Sequence, residues 1–434
     1  MAVKKTAIFK ISYENDYFSG TPTYKRVWLA SVKCLSNKCI RSTGKAEKKL
    51  SLLKLLPTII VKWLLRSMHG VLCLFLRVNP KKVTFASYRS NTIEGNLYYL
   101  YLKFKELHPD YHFHFLFKKF DGSNMGKVKY VFHMLKACVN LANSAFFIID
   151  DFYFPVYVIK PRERAKIVQL WHASGALKKF GHSTIGKPFG PSPFYLKRVP
   201  IHANYSLVFV SCREVIPYYA EAFNMPKDRI FPLGVPRTDA LLSETFRQKT
   251  RRKFVDQYPE SRDKKVLLYA PTYRGNSHYQ DTFKIPLDID LLERHLGDRY
   301  ILLVHLHPYM RQEATVNRNS SFCIHIHGDF DIQELLVIAD LLITDYSTVM
   351  FDYSLLERPM AFIAADLEEY IHERDFYYDF KSLIPGPLFK ETQDLIDWVN
   401  REDFDLEKIK KFKHRFFDDI DGKAAERIVK FLTG

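Results

Sequence analysis

Short apolar runs, each ending in polar, glycine or proline residues, recur along this chain with helix-like stretches between them. The first series comprises Lys82–Ser87, Tyr111–Phe117, Ala145–Ile149, Val168–Trp171 and Ser206–Ser211. The second comprises Val266–Ala270, Tyr300–Leu306, a run within Asp329–Ile343, and Pro359–Ala364. Strands alternating with helical stretches predict βαβ units and parallel sheets. The turn-rich segment Ile230–Asp239 separates the two series. The expectation is an α/β chain of two Rossmann-like domains facing a cleft, 81–235 and 236–434, behind an extension over 1–80. A chain of 434 residues is long enough for two cores of this kind.

The charge is distributed unevenly. Residues 1–82 hold 17 Lys or Arg against three acidic residues, so +14 of the formal +17 lies there. Residues 49–78, KLSLLKLLPTIIVKWLLRSMHGVLCLFLRV, are the most hydrophobic stretch of the chain. Lys54, Lys62, Arg66 and Arg77 interrupt it, and Pro57 and Gly70 are expected to bend or break a single helix. Its uninterrupted apolar runs are far shorter than the roughly 20 residues of a spanning helix. The segment reads as an interfacial helix or helix pair whose cations meet anionic headgroups. A helix docked on the protein's own core is the competing reading. No RNA-binding motif accompanies the basic residues, so nucleic acid is not an expected partner. The first residues carry no secretory signal pattern. Six scattered cysteines without a CxxC pair argue against structural zinc and fit a reducing compartment.

Ligands of open α/β sheets bind outside the carboxyl ends of the strands, so the strand ends are the candidate site. Trp171-His172-Ala173-Ser174-Gly175 follows one run, with Lys178 and Lys179 close behind to supply charge for a phosphate. Pro271-Thr272-Tyr273-Arg274 follows a second, and His305-Leu306-His307-Pro308 a third. Asp345-Tyr346-Ser347-Thr348 follows a fourth, with Asp352 one helical turn on. Alternation puts His305 on the opposite strand face from His307, which favours a core position although it stands among the candidate ligands. His325 and His327 lack a third ligand at metal spacing, and no metal or cofactor is expected. Asp150-Asp151 ends a strand and equally suits a helix cap. GxGxxG and Walker A patterns are absent from the sequence.

Taken in order, Trp171-His172, Gly234-Val235-Pro236-Arg237-Thr238-Asp239, Ala270–Gly275, His307-Pro308, Asp345–Thr348 with Asp352, and Arg374-Asp375-Phe376-Tyr377 resemble a known set. It is that of the CDP-glycerol/CDP-ribitol polyolphosphotransferases of wall teichoic acid synthesis, over roughly residues 83–430. Ala173-Ser174-Gly175 and the Gly-Val-Pro-Arg-Thr-Asp run are more similar to the ribitol-phosphate branch. The resemblance implies a GT-B arrangement, a CDP-polyol donor, a lipid-linked teichoic acid acceptor and peripheral attachment to the cytoplasmic face of the membrane. Whether the chain self-associates stays open.

The implied reaction needs a base for an alcohol nucleophile and fixed donors for departing CMP. His172 is the candidate base, with His307 the other catalytic histidine. Trp171, Ala173, Ser174, Gly175, Arg237, Pro271, Thr272, Arg274, His305, Ser347, Thr348 and Asp352 are the candidate substrate contacts. Arg237 equally suits a bridge between the halves, the Ser347-Thr348 pair a helix cap, and Asp345 a structural carboxylate. Competing functions are a GT-B glycosyltransferase using a nucleotide sugar and a non-catalytic basic membrane-binding protein.

Overall fold

The computed structural model describes residues 53–120, 123–188, 190–272, 280–283, 285–306, 310–312, 321–326 and 328–434. A helix, α1 (Leu53–Phe75), opens the described chain. It is continuous through Pro57 and Gly70, where a break or bend was expected.

The first half is a six-stranded, all-parallel sheet in the order β2-β1-β3-β4-β5-β6. Its strands are β1 (Asn79–Ser87), β2 (His112–Phe117), β3 (Ser144–Ile149), β4 (Lys166–Gln169), β5 (Leu207–Phe209) and β6 (Ile230–Phe231). The chain runs outward from β1 to β2, then returns to place β3 on the other side of β1, in register Val83↔Phe146. The topological switch therefore lies between β1 and β3. Connections α2 (Gly95–Leu107) and α3 (Asn124–Asn143) cover the sheet, α3 being capped by Ser123 Oγ accepting from Gly126 N–H at 3.0 Å.

The second sheet repeats the plan in the order β11-β9-β7-β12-β13-β14. It consists of β7 (Lys265–Tyr269), β9 (Tyr300–Val304), β11 (Cys323–His325), β12 (Leu341–Thr344), β13 (Met360–Ile363) and β14 (Leu388–Phe389). A separate pair, β8 (Gln280–Phe283) and β10 (Met310–Gln312), completes the described strands. Here β7 is flanked by β9 on one side and β12 on the other, so the second switch lies between β7 and β12. The two parallel sheets are the expected α/β, GT-B-like arrangement.

At its end the chain crosses back. Helix Ala424–Thr433 lays Ala425, Ile428 and Val429 into the core formed by Val83, Phe85, Leu97 and Leu100 of the first half. Asp239 holds its start, its two carboxylate oxygens accepting Ala424 N–H at 2.9 Å and Ala425 N–H at 2.8 Å. The chain first passes from one sheet to the other between β6 and β7, and this helix makes a second crossing that no strand–helix count reveals. Gly234 makes the close approach, with φ +95 and a position where an added Cβ would stand 2.6 Å from Ala424 Cβ.

Half of α1 belongs to this body. Leu65 and His69, one turn apart, are buried, and Leu65 joins Met134, Ala137, Cys138 and Leu141 of α3 in the core. Arg162 fastens the following residue, donating to Leu76 O at 2.6 Å and to Ala142 O at 2.8 Å. The opposite face leaves Trp63, Leu64, Val71, Leu74 and Phe75 exposed.

Gly234→Ala should lower unfolding stability by about 1–3 kcal/mol, because it adds both a positive-φ side chain and a clash. Gly186→Ala shares the positive φ but has open space around it, so chemical denaturation should show the smaller loss. Equal losses would mean that contact with the C-terminal helix contributes nothing.

Candidate active site

His172 stands just beyond the carboxyl end of β4, beside the switch point between β1 and β3. The turn that delivers it is strained. Trp171 has φ +54, a conformation that costs a bulky residue on the order of 1–3 kcal/mol. Two hydrogen bonds hold it: Trp171 N–H donates to Gln169 Oε1 at 2.8 Å, and Trp171 O accepts from Asn96 Nδ2 at 2.8 Å. The indole stacks on Phe180 at 4.8 Å and packs edge-on against Phe223. Trp171 is buried, so it supports the site from below and does not face a substrate.

The imidazole keeps 35% of its side-chain surface exposed. Its Nδ1 lies 3.3 Å from Asp150 O and 3.3 Å from Asp151 Oδ2. Burial first, then the cations Arg89 and Arg237, hold the ring well below the ordinary imidazole value of 6.5. His172 is therefore a neutral ring at neutral pH, as a base must be. Beside it, burial pushes the Asp150 carboxyl up to about 7, against the opposing pull of Arg89.

Three expected ligands, Ser174, Arg237 and Asp352, do come together, but they bind one another. Arg237 Nε donates to Asp352 Oδ2 at 2.8 Å, and Ser174 Oγ donates to Asp352 Oδ1. Arg237 Nη1 also donates to His172 O at 2.7 Å, and its backbone N–H to Asn96 Oδ1 at 3.1 Å. Asp352 is 1% exposed and Ser174 fully buried. This corrects the sequence reading. A carboxylate already holding a guanidinium and a hydroxyl, out of contact with solvent, is a strut between the halves and not a polyol ligand. Ala173 and Gly175 are likewise frame residues, each presenting its carbonyl to Tyr219 Oη, at 2.9 and 3.3 Å. Gly175 must lack a side chain because the Phe351 ring occupies the place of a Cβ.

Across the seam, Thr272 follows β7 after the buried Pro271, and its N–H donates to Asp345 Oδ1 at 2.8 Å. Asp345 thus bridges the ends of β7 and β12, the structural role its strand-end position allowed. Lys178 Nζ reaches over the seam to Thr272 Oγ1 at 3.2 Å and lies 5.4 Å from the Tyr370 ring centroid. Its charge also acts on His172. Lys179 and Lys187 both pair with Asp375 at 3.0 Å, and Lys178 bridges Phe376 in antiparallel fashion.

Ser347 and Thr348 are half-buried at the start of helix Val349–Ser354. Thr348 makes no side-chain cap, while Ser347 Oγ accepts weakly from Val349 N–H at 3.5 Å. His305 ends β9 with its N–H on Tyr269 O at 3.0 Å. Its Nδ1 is buried without a hydrogen-bond partner among the described residues. Arg274 and His307, expected at the same edge, lie outside the described residues, as does His327. Among the described residues no group of three His, Cys, Asp or Glu side chains is placed to hold a metal.

Sequence reasoning missed Arg89, Asn96 and the use made of Asp151. Arg89 and Asp151 follow β1 and β3, the two strands that bracket the switch point, and that position was the available signal.

Residues 69–434 match the family described as CDP-Glycerol:Poly(glycerophosphate) glycerophosphotransferase. The chain is 40% identical over 383 residues to the teichoic acid ribitol-phosphate primase of Bacillus spizizenii, covering 88% of this chain and 98% of that protein. It is also 40% identical over 359 residues to the teichoic acid poly(ribitol-phosphate) polymerase of the same organism. That match covers 82% of this chain but only 56% of the longer polymerase. The structure of the wall teichoic acid polymerase TagF superposes with a TM-score of 0.70 at 25% identity, over 89% of this chain and 96% of that one. The chain therefore belongs to the CDP-Glycerol:Poly(glycerophosphate) glycerophosphotransferase family, as a CDP-polyol phosphotransferase of teichoic acid biosynthesis.

Proposed function

We propose that this protein transfers ribitol phosphate from CDP-ribitol to the terminal hydroxyl of a lipid-linked teichoic acid acceptor and releases CMP. The observation that carries the reading is His172: a neutral, partly exposed imidazole held by its Nδ1 at the carboxyl end of a parallel sheet. Ribitol is favoured because both 40%-identical relatives are named for ribitol phosphate. His172 Nε2 takes the proton of the acceptor hydroxyl as that oxygen attacks the phosphorus bearing the polyol. The bond from phosphorus to the CMP oxygen breaks, and CMP leaves with the electron pair. Lys178, set beside both His172 and Thr272, supplies positive charge for the departing phosphate. The Ser347 and Thr348 hydroxyls supply neutral donors, and Arg274 and His307 are proposed to complete the set. Arg237 acts one step back, by holding the His172 carbonyl.

The protein is proposed to work at the cytoplasmic face of the cell membrane. Helix α1 is long and apolar enough to cross a bilayer by length and composition. Its Leu65 and His69 are packed into the protein, however, and a helix clasped along one face cannot be surrounded by lipid. An interfacial position suits this geometry, with Trp63, Leu64, Leu74 and Phe75 dipping into the acyl boundary and the exposed Arg66 near headgroups, while Lys62 donates to Arg198 O of the protein itself.

With a lipid-linked primer, CDP-ribitol should give acceptor-dependent CMP release and CDP-glycerol little. The reverse preference would reassign the polyol, and no release from either donor with a competent primer would sink the transferase reading. His172→Asn should cut turnover by about 10²–10⁴-fold with little change in donor binding. Because the His172 pKa is depressed, protonation switches the base off only at low pH. The acid limb of turnover should therefore lie below pH 6.5, and a limb above that value would exclude His172. Changing Trp63, Leu64, Leu74 and Phe75 together to Ser should release the protein from anionic vesicles in flotation, and unchanged flotation would contradict the interfacial reading.

A further inference from the structure

We propose that Asp151 is a positioning residue: its carboxylate stands against His172 Nδ1 beside the Asp150 carbonyl, so that the two together hold the Nδ1–H tautomer and leave the Nε2 lone pair free. The inference rests on His172 being the base and adds what makes it one.

The geometry is specific. His172 Nδ1 is hydrogen-bonded to Asp150 O at 3.3 Å, a carbonyl that cannot donate, and Asp151 Oδ2 stands at the same distance as an ion-pair partner, held as an acceptor by Arg89. A ring nitrogen set against two acceptors carries the proton, which leaves the other nitrogen as the acceptor. Asp151 does not swing. Its Oδ1 accepts Phe152 N–H at 2.6 Å, and its Oδ2 is also 3.2 Å from Arg89 Nη1. With its side chain 6% exposed, the carboxylate sees little water that could compete for these donors. Arg89 arrives from the end of β1 and Asp151 from the end of β3, so the switch point of the sheet itself assembles the pair.

The electrostatic setting explains why a carboxylate is needed. The other charges facing the ring are Arg89 after β1, Lys178 on its own loop and Arg237 from the crossing segment, while the Asp150 carboxyl beside Asp151 is pushed toward its neutral form by burial. Three cations make a neutral ring easy to keep and an imidazolium hard to form. When His172 takes the acceptor proton, the adjacent anion offsets that cost within the transition state, which the Asp150 backbone carbonyl alone cannot do.

Asp151→Asn is the test, with the same shape and no charge. One of its amide faces must now present N–H groups to donors, so either Phe152 N–H loses its acceptor or His172 Nδ1 meets a donor in place of the carboxylate, with only Asp150 O still favouring Nδ1–H. Ring-¹⁵N histidine NMR, with His172 assigned by its loss in His172→Asn, should show Nδ1–H in the wild type and a shift toward Nε2–H in Asp151→Asn. Turnover with CDP-ribitol and a lipid-linked primer should fall by about 10²-fold or more, with KM for the donor within about twofold. In the His172→Asn background, Asp151→Asn should cost less than about twofold more, because the two residues act as one unit. A residue that merely stabilised the fold would multiply the losses instead. A wild-type ring protonated at Nε2 would overturn the inference even if Asp151→Asn failed to fold. So would an Asp151→Asn protein with unchanged tautomer and turnover. The ring spectrum decides this inference whatever the rates do, while the rate of His172→Asn alone decides whether His172 is the base.

Discussion

A single buried carboxylate, Asp352, holds the two halves and the His172 loop in one geometry. From its helix in the second half it binds two distant parts of the chain: Ser174 on the loop after β4 and Arg237 on the crossing segment. A carboxylate so thoroughly removed from water is stable only when its charge is met by well-placed donors. Arg237 provides the planar fork that does this while its other arm grips the His172 carbonyl. Breaking such a pair by removing one partner costs about 3–5 kcal/mol, since the other charge stays buried. Arg237 also holds the His172 carbonyl, so the inter-half contact and the position of the His172 loop are coupled.

Around that strut the packing is built to resist adjustment. Gly175 lets the loop backbone touch Phe351, which in turn stacks on Phe412 at 5.2 Å and meets Phe416 edge-on. On the other side Trp171, Phe180 and Phe223 wedge the strained turn. Strain of on the order of 1–3 kcal/mol at Trp171 persists because Gln169 and Asn96 hold both its backbone polar groups. Asn96 does double duty, since the same side chain accepts the Arg237 N–H. The His172 ring is placed by a rigid frame, as sites that must hold a reacting atom within a fraction of an ångström require.

Much of this was legible in the chain before any coordinates. The strands appear where apolar runs end in polar residues, because a strand buried on both faces leaves little choice of side chain. His172, Thr272 and the Ser347-Thr348 pair fall at strand ends as expected. The roles of Arg237 and Asp352 were not legible. Both residue types suit a phosphate or a hydroxyl, and only their mutual distance of 2.8 Å shows that they spend their polar atoms on each other. Asp150-Asp151 read equally well as a cap, and Asp151 does accept the next residue's N–H while also turning toward His172.

The sequence by itself determined the parallel α/β class, the basic and apolar character of the first 82 residues, and the strand ends where chemistry would sit. These follow from local patterns: period, charge and turn residues act over a few positions. The tertiary structure alone decided which polar residues face one another, because partners 115 and 178 residues apart share no local pattern. It also decided that the last helix returns to the first half, and that α1 runs unbroken with one face clasped and the other bare. Burial is a property of the whole packed chain, so no window of sequence contains it.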